Sequence, residues 1–347
     1  MKKPTLILLV FLIFACGNQE TKNTETSNVT ANPIEEKSFV KLGGEEQYVE
    51  ITGASEDLPV LLFLHGGPGW PQTPHLRYFN ADLAKEMIVV SWDQQGCGLT
   101  YLNNPNPKTL TVESLIDNAH ELTLYLKKKF NKKKIYLLGF SFGSVLGMNL
   151  VEQYPENYHA YIGLSQLIDS KENFEISMDW LREQATAKQD TESLATIDLI
   201  DKRDTSVCGT PKECFMNKYW LLVKYNGTIY DTAIAKEIEK AEHYYQDYKD
   251  YDWFLVFNYT NARLGRSFDI DLTHIKSLDV PVYMLAGRHD WNLPGVVAER
   301  FLEKLEAPYK KFIWFDKSGH EPCEEEPRAF NETIIKIVKE KRLTTEE

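Results

Sequence analysis

Apolar and polar residues form two repeating patterns from about Ser38 onwards. Short apolar blocks typical of buried strands occur at 59–64, 86–92, 135–138, 158–164, 280–286 and 311–315. Longer stretches with apolar residues three or four positions apart, at 112–130 and 329–341, predict amphipathic helices. Residues 38–42 and 47–51 flank two glycines and predict an opening hairpin. Strands that alternate with helices predict an α/β fold with a mostly parallel sheet of about eight strands, covered by helices on both faces.

The region 165–278 interrupts this alternation. It is rich in helix-forming, aromatic and charged residues and lacks regularly spaced strand blocks. We therefore expect it to be a helical cap inserted between two parts of one core, 38–164 and 279–347.

The first residues indicate an export signal. Two lysines precede an apolar run, 6–15, that is too short to span a bilayer, and Cys16 follows directly. The run Ile13-Phe14-Ala15-Cys16 resembles a bacterial lipobox, which implies a lipoprotein signal at 1–16 and acylation of Cys16. The alternative is an ordinary cleaved signal. Residues 17–37 are mostly polar and predict a disordered tether. The expected location is the bacterial cell envelope, with the protein held at a membrane surface by lipid.

Composition narrows the possible partners. The chain has 347 residues, with 39 Lys and Arg against 51 Asp and Glu, a net charge of −12. This balance argues against nucleic acid and against electrostatic binding to anionic membranes. Cys208 and Cys214 flank a turn-forming segment and predict a local disulfide in an oxidising compartment. Cys97 and Cys323 are expected to be small buried thiols. No metal-ligand spacing occurs, and no cofactor is implied.

One stretch, 134–148, places a strand, a serine and a helix in sequence. Ser141 has a glycine two residues before it and another two residues after it. Such glycines allow a sharp turn from strand to helix that exposes the serine hydroxyl above the sheet. The helix N-terminus would then face the negative charge that develops during attack on a carbonyl. The alternative is a glycine-rich turn with an ordinary serine.

Two further groups follow predicted strands at the same sheet edge, because reactive side chains in parallel sheets gather beyond the carboxyl ends of the strands. Asp290 comes just after 280–286, whereas Asp279 lies at the opposite end of that strand. His320 follows 311–315 and is the only histidine after Asp290. A serine, an aspartate and a histidine in this order predict a catalytic triad in which the histidine takes the serine proton and the aspartate orients the histidine.

The motifs HGGPG, WDQQGCG, GFSFGS, GRHD and GHEPCEEEP resemble the proline iminopeptidase branch of the α/β hydrolases. The resemblance covers roughly 38–165 and 278–340. It implies the α/β-hydrolase fold and an oxyanion hole formed by the backbone amides of Gly67 and Phe142. It also implies a scaffold role for Asp93, beside which Gln95 replaces the arginine of the family.

The cap departs from the family pattern. A prolyl aminopeptidase must hold the free amine of its substrate, and the family carries one glutamate for this in a helical run like ENHYF. This chain has AEHYY, in which Glu242 is displaced by one residue, a rotation of about 100° on a helix. Glu242 is thus a weak candidate for binding the amine. The aromatic residues of the cap could line a pocket or form ordinary cap core.

Together these features predict a serine hydrolase that releases an N-terminal residue, preferably proline, from a peptide or small-molecule substrate through an acyl-enzyme. A carboxylesterase acting on small esters is the alternative within the same mechanism. A catalytically idle envelope protein that binds a ligand is the alternative of another class, and the complete set of catalytic motifs argues against it.

Overall fold

The predicted α/β fold is confirmed. The computed structural model describes residues 33–201, 211–264 and 269–345. In these ranges eight strands form one sheet. In chain order they are β1 (Ile34–Leu42), β2 (Glu45–Gly53), β3 (Val60–Leu64), β4 (Ile88–Trp92), β5 (Ile135–Phe140), β6 (Tyr158–Leu164), β7 (Val282–Gly287) and β8 (Lys310–Phe315). The predicted buried strands lie within two residues of these bounds.

The strand order across the sheet is β1-β2-β4-β3-β5-β6-β7-β8. β2 pairs antiparallel with both β1 and β4, and every other neighbouring pair is parallel. The chain passes from β3 to β4 on one side and then returns to β5 on the other side of β3. Such a reversal opens a crevice at the carboxyl ends of the strands, which is where open α/β sheets bind ligands.

Helices cover both faces of the sheet, and further helices follow β6. In chain order the α-helices are α1 (Thr73–Phe79), α2 (Gly98–Asn103), α3 (Val112–Lys129), α4 (Phe142–Gln153), α5 (Ser170–Ala187), α6 (Thr191–Asp201), α7 (Pro211–Lys224), α8 (Thr232–Tyr244), α9 (Trp253–Leu264), α10 (Gly295–Lys304), α11 (Pro322–Glu325) and α12 (Pro327–Thr345). Two short 3-10 helices span Ala81–Lys85 and Pro155–Asn157.

Alternate residues of the central strands belong to two separate cores. Leu62 of β3 packs in a cluster with residues of α3, α4 and α10. Its neighbour Leu61 packs in a second cluster with residues of α1 and α12. Since successive side chains of a strand point to opposite faces, each central strand must be apolar throughout. This requirement explains why these strands appear in the sequence as continuous apolar blocks.

The opening hairpin occurs as predicted, but it begins earlier. β1 starts at Ile34 and pairs with β2 along its whole length, from Ile34 opposite Gly53 to Leu42 opposite Glu45. The last residues of the predicted tether, 34–37, therefore belong to the sheet. The reason is that β1 alternates partly buried and exposed residues, so its polar positions face solvent without interrupting the backbone pairing.

Between β6 and β7, where the cap is predicted, the described chain consists largely of the helices α5 to α9. Met178, Leu181, Ile197 and Leu222 form a small core of their own. An aromatic cluster contains Tyr248, Tyr251 and Trp253 and packs against Trp70, which follows β3, and against residues of α2, which follows β4. These helices therefore lie over the carboxyl edge of the sheet.

Several predictions concern residues beyond the described ranges. Cys16 and Cys208 lie outside them, as does the side chain of Cys214, so the acylation and the disulfide stay predictions. Cys97 and Cys323 are buried free thiols, as predicted. Within the described residues, no helix is both long enough and apolar enough to cross a membrane.

Candidate active site

Ser141 occupies the turn between β5 and α4. Its backbone has φ +50° and ψ −119°, a conformation that non-glycine residues rarely adopt. A Cβ on Gly143 would lie 2.2 Å from the carbonyl oxygen of Leu64, and one on Gly139 would lie 2.7 Å from Cα of Ser144. Both positions must therefore be glycine for the helix to start this close to the sheet. The predicted sharp turn, with its serine at the apex, is present.

The structure brings the three residues of the predicted triad together. Nε2 of His320 lies 3.0 Å from Oγ of Ser141, and Nδ1 of His320 lies 2.8 Å from Oδ2 of Asp290. Asp290 follows β7 and His320 follows β8, so adjacent strands present them at one edge. The other carboxylate oxygen of Asp290 accepts hydrogen bonds from the backbone amides of Asn292 and Leu293.

These contacts fix the tautomer of His320. An ionised Asp290 can only accept hydrogen bonds, so Nδ1 of His320 carries the hydrogen and Nε2 is free to accept the proton of Ser141. Burial by itself would lower the pKa of His320, but the charge and hydrogen bond of Asp290 outweigh it and raise that pKa above its ordinary value of 6.5. The histidine can thus act as a general base, and its protonated form is stabilised.

The two predicted oxyanion-hole residues lie beside Ser141. Gly67 lines the same cavity as Ser141 and has φ +105°, and a Cβ there would lie 2.7 Å from the backbone nitrogens of Gly69 and Trp70. Phe142 directly follows Ser141 and is the first residue of α4. The amide of such a residue has no carbonyl partner within its own helix. The oxyanion hole formed by the amides of Gly67 and Phe142 stays a prediction.

His65 anchors the glycine-rich loop that carries Gly67, a function that its motif alone does not reveal. Its Nδ1 lies 2.9 Å from the carbonyl oxygen of Gly66, and its Nε2 accepts a hydrogen bond from the backbone amide of Gln94. Complete burial lowers the pKa of His65 to about 4, so the ring stays neutral and keeps these two contacts. The loops after β3 and β4 are thereby joined.

Asp93 acts as a scaffold, in line with the resemblance. Its carboxylate accepts hydrogen bonds from Thr73 of α1, from the amide of Leu99 and from the hydroxyl of Tyr248. Burial raises the pKa of Asp93 to about 6. It thus links the loop after β4 to the helical region above the sheet.

Gln95, which stands where the similar family has an arginine, makes two side-chain hydrogen bonds. Its side-chain amide donates to Glu45 over 2.7 Å and accepts from Asn118 over 3.4 Å. These contacts tie the loop after β4 to β2 and α3. The loop therefore keeps an anchor at this position.

A cavity of about 720 Å³ opens above Ser141. The segments that follow β3, β5 and β8 contribute Gly67, Ser141 and His320, and helices α7, α8 and α9 close over them. One wall is aromatic: Trp70 lies 5.1 to 6.0 Å, centroid to centroid, from Trp253, Phe254 and Phe257. Tyr244 instead packs on Tyr78 outside the cavity. The site can enclose a substrate the size of a short peptide or a drug-like ester.

Glu242 lines this cavity together with Ser141. Its displacement by one residue therefore does not turn it away from the serine. Burial raises the pKa of Glu242 to about 8, because the charged form loses its hydration there. Two further polar residues of the cavity, Gln72 and Glu321, were not identified as candidates from the sequence. Glu321 follows the triad histidine directly, and that adjacency is the signal that could have revealed it.

No group of three or more histidine, cysteine, aspartate or glutamate side chains in the described ranges is arranged to hold a metal ion. The hydroxyl of Ser141 is hydrogen-bonded to His320, which is hydrogen-bonded to a carboxylate, and such an arrangement suits acyl transfer.

Comparisons with known proteins agree with this geometry. The sequence profile of the alpha/beta hydrolase fold family matches residues 59–327. The probable aminopeptidase YbaC of Bacillus subtilis (strain 168) is 26% identical over 311 residues, which cover 85% of this chain and 93% of that protein. A proline iminopeptidase of Heyndrickxia coagulans is 24% identical over 83% of this chain and 93% of its own length.

Among solved structures, a proline iminopeptidase of Mycobacterium smegmatis superimposes with a TM-score of 0.67 at 18% identity, covering 89% of this chain and all of that one. That likeness concerns the fold. Since the family profile spans most of the chain, the protein is a hydrolase of the alpha/beta hydrolase family, similar to the proline iminopeptidases.

Proposed function

We propose that the protein is a serine aminopeptidase of the proline iminopeptidase type, which releases an N-terminal residue, preferably proline, through an acyl-enzyme. The observation that carries this proposal is that Glu242, a partly buried carboxyl group, lines the same cavity as Ser141 and His320. A carboxylate there suits a substrate that carries a free amine close to its scissile carbonyl.

The acylation step follows from the contacts of the triad. Oγ of Ser141 attacks the substrate carbonyl while Nε2 of His320 takes the hydroxyl proton. The backbone amides of Gly67 and Phe142 stabilise the oxyanion of the tetrahedral intermediate. Protonated His320, stabilised by Asp290, then gives its proton to the leaving amine. Water attacks the acyl-enzyme by the same route and releases the N-terminal residue.

Glu242 would supply the specificity for a free amine. A protonated amine beside Glu242 favours the ionised form of its carboxyl group. The charge-assisted hydrogen bond between the amine and the carboxylate is worth about 1.5 to 3 kcal/mol. The aromatic wall around Trp70 gives an apolar surface for the rest of the substrate. A substrate with a blocked amine would lose the hydrogen bond to Glu242 and keep the apolar contact with the aromatic wall.

The test compares prolyl arylamide with its N-acetylated form. Acetylation should lower kcat/KM by at least about a hundredfold, the effect of about 2.7 kcal/mol. Glu242→Gln should remove most of this discrimination. Glu239→Gln is the matched control, because Glu239 also lines the cavity from α8 but is exposed to solvent. If blocked and free substrates are hydrolysed within a factor of a few of each other, the aminopeptidase proposal is wrong.

A carboxylesterase is the second candidate, and the aromatic wall of the cavity favours it. An esterase of apolar acyl groups needs no carboxylate in its pocket, so Glu242→Gln should not lower its kcat/KM. Comparing short acyl esters with prolyl and alanyl arylamides under the same conditions separates the two reactions. Faster turnover of neutral esters, with no response to Glu242→Gln, would identify the esterase.

The lipid anchor at Cys16 is a separate proposal that rests on the N-terminal sequence. The two lysines, the short apolar run and the cysteine occur in the order of a lipoprotein signal. An enzyme held in this way would act on peptides at the cell envelope.

A further inference from the structure

Three consecutive backbone amides at the triad histidine each donate to a fixed acceptor. The amide of His320 donates to the carbonyl oxygen of Thr228 over 2.6 Å. The amides of Gly319 and Glu321, on either side of it, both donate to Oε1 of Glu325, over 2.8 Å and 3.2 Å. The backbone that carries the histidine is therefore held by one carboxylate and by one carbonyl group of the cap.

The connection between α7 and α8, residues 225–231, reaches this place from the cap. Its Tyr230 donates a hydrogen bond from the backbone amide to Oε2 of Glu325 over 2.7 Å. Its Gly227 accepts one at the carbonyl oxygen from the amide of Trp291, the residue after the triad aspartate, over 2.9 Å. The same connection thus contacts the loop of the triad histidine and the loop of the triad aspartate.

The approach of the two segments is close. A Cβ on Gly319 would lie 2.3 Å from the carbonyl oxygen of Thr228, so a larger residue there would push the cap away from the histidine loop. Thr228 and Ile229 also line the cavity above Ser141. A substrate in the cavity can therefore contact the segment that holds the histidine backbone.

Glu325 is the side chain that joins these parts. It is the last residue of α11, it is half-buried, and it does not itself line the cavity. An ionised carboxylate has two oxygens that only accept hydrogen bonds, which matches the three amides that face it. Burial raises the pKa of Glu325 to about 7, so the carboxylate is ionised at a mildly alkaline pH.

We propose that Glu325 is a positioning residue for the catalytic base: it fixes the amides on both sides of His320 and ties them to the cap, which keeps the imidazole aligned with Ser141 and Asp290. The proposal requires that His320 is the base. It does not depend on the substrate, and it applies to an aminopeptidase and to an esterase alike.

Loss of this anchor should lower kcat more than it changes KM. A displacement of a catalytic group by about 1 Å can lower a rate by about a hundredfold. His320 transfers a proton in acylation and in deacylation, so kcat should fall whichever step limits it. Because Glu325 does not touch the cavity, substrate binding should change little.

The experiment measures kcat and KM of the full chain on an activated, uncharged acyl ester at about pH 8. Glu325→Ala, which removes both acceptor oxygens, should lower kcat by tenfold or more and leave KM within threefold. Glu325→Gln keeps one acceptor oxygen but places an amide group toward a backbone N–H. Its kcat should lie between those of Glu325→Ala and the wild type, at least threefold below the latter.

Glu326→Ala is the matched control. Oε2 of Glu326 accepts hydrogen bonds from the amide of Lys317 and the hydroxyl of Ser318, so it holds the same loop but not the amides beside His320. Its kcat should stay within threefold of the wild-type value. Thermal unfolding of each variant verifies that it is folded.

A folded Glu325→Ala variant with kcat within threefold of the wild type would overturn the proposal. An equal loss of kcat in Glu326→Ala would also overturn it, because the loop would then need only general support. If Glu325→Ala does not fold, Glu325→Gln decides, and a loss of less than threefold refutes the role. Failure to hydrolyse prolyl arylamide would refute the aminopeptidase alone, since the ester assay tests Glu325 independently.

Discussion

Replacing Asp290 by asparagine tests the tautomer of His320 directly. The Asp290 side chain accepts from Nδ1 of His320 with one oxygen and from the amides of Asn292 and Leu293 with the other. In Asp290→Asn, the remaining oxygen can keep the two backbone contacts, so the fold should be preserved. The amide nitrogen then faces Nδ1, which must accept instead of donate. His320 is forced into the tautomer whose Nε2 carries a hydrogen and cannot take the Ser141 proton.

The expected loss follows from this change. In serine triads the same substitution typically lowers kcat by about 10⁴, which corresponds to about 5.4 kcal/mol of transition-state stabilisation. The loss should appear for ester and arylamide substrates alike, because both require the same proton transfer. Steady-state kcat on an activated acyl ester is the assay, with thermal unfolding as the check on folding.

Asp279→Asn is the matched control, since Asp279 is exposed and lies before the amino end of β7 instead of following its carboxyl end. Its kcat should stay within a factor of two of the wild-type value. If folded Asp290→Asn keeps more than a tenth of wild-type kcat, then Asp290 does not orient the catalytic base.

Four further predictions concern the nucleophile, the base, the turn and the anchor. Ser141→Ala should lower kcat by on the order of 10⁶ without changing thermal unfolding, and more than a tenth of the activity remaining would exclude Ser141 as nucleophile. Since His320 must be neutral to act as a base and its pKa is raised, kcat/KM on a neutral ester should fall as the pH decreases through a pKa above 6.5. A limb below 6.5 in a pH-rate profile would contradict this. Gly143→Ala should destabilise the fold by about 3 kcal/mol or more, because the alanine Cβ would lie 2.2 Å from a backbone oxygen. An unchanged midpoint of urea unfolding would show that this close contact does not require glycine. When expressed in a bacterium, the chain should carry acyl mass on Cys16 and partition into detergent. The Cys16→Ser variant should show neither property. An unmodified Cys16 in the mature protein would refute the lipid anchor.

The triad could be predicted from the sequence because of how parallel sheets are built. Ser141, Asp290 and His320 each follow a buried apolar strand, and the carboxyl ends of parallel strands meet at one edge. Their meeting therefore needs no knowledge of side-chain packing. The same reasoning located the central strands, whose burial on both faces leaves a continuous apolar signal.

Other features depend on contacts between distant parts of the chain. β1 has a polar outer face, so its start at Ile34 is set by pairing with β2 and not by its own composition. The orientation of Glu242 toward the cavity depends on how α8 packs over the sheet. The position of the glutamate within the run AEHYY does not reveal that packing.

The sequence by itself determined the strand order along the chain, the sharp turn at Ser141 and the three residues that meet there. Only the tertiary structure decided the surroundings of the buried Glu324, because its partners Gln72 and His75 lie about 250 positions away in the sequence. The succession of strands, turns and helices depends on residues that are close in the sequence, so it can be recognised from the sequence. The ionisation of a carboxyl group depends on its burial and on every charge around it, and these are set only when the whole chain has packed.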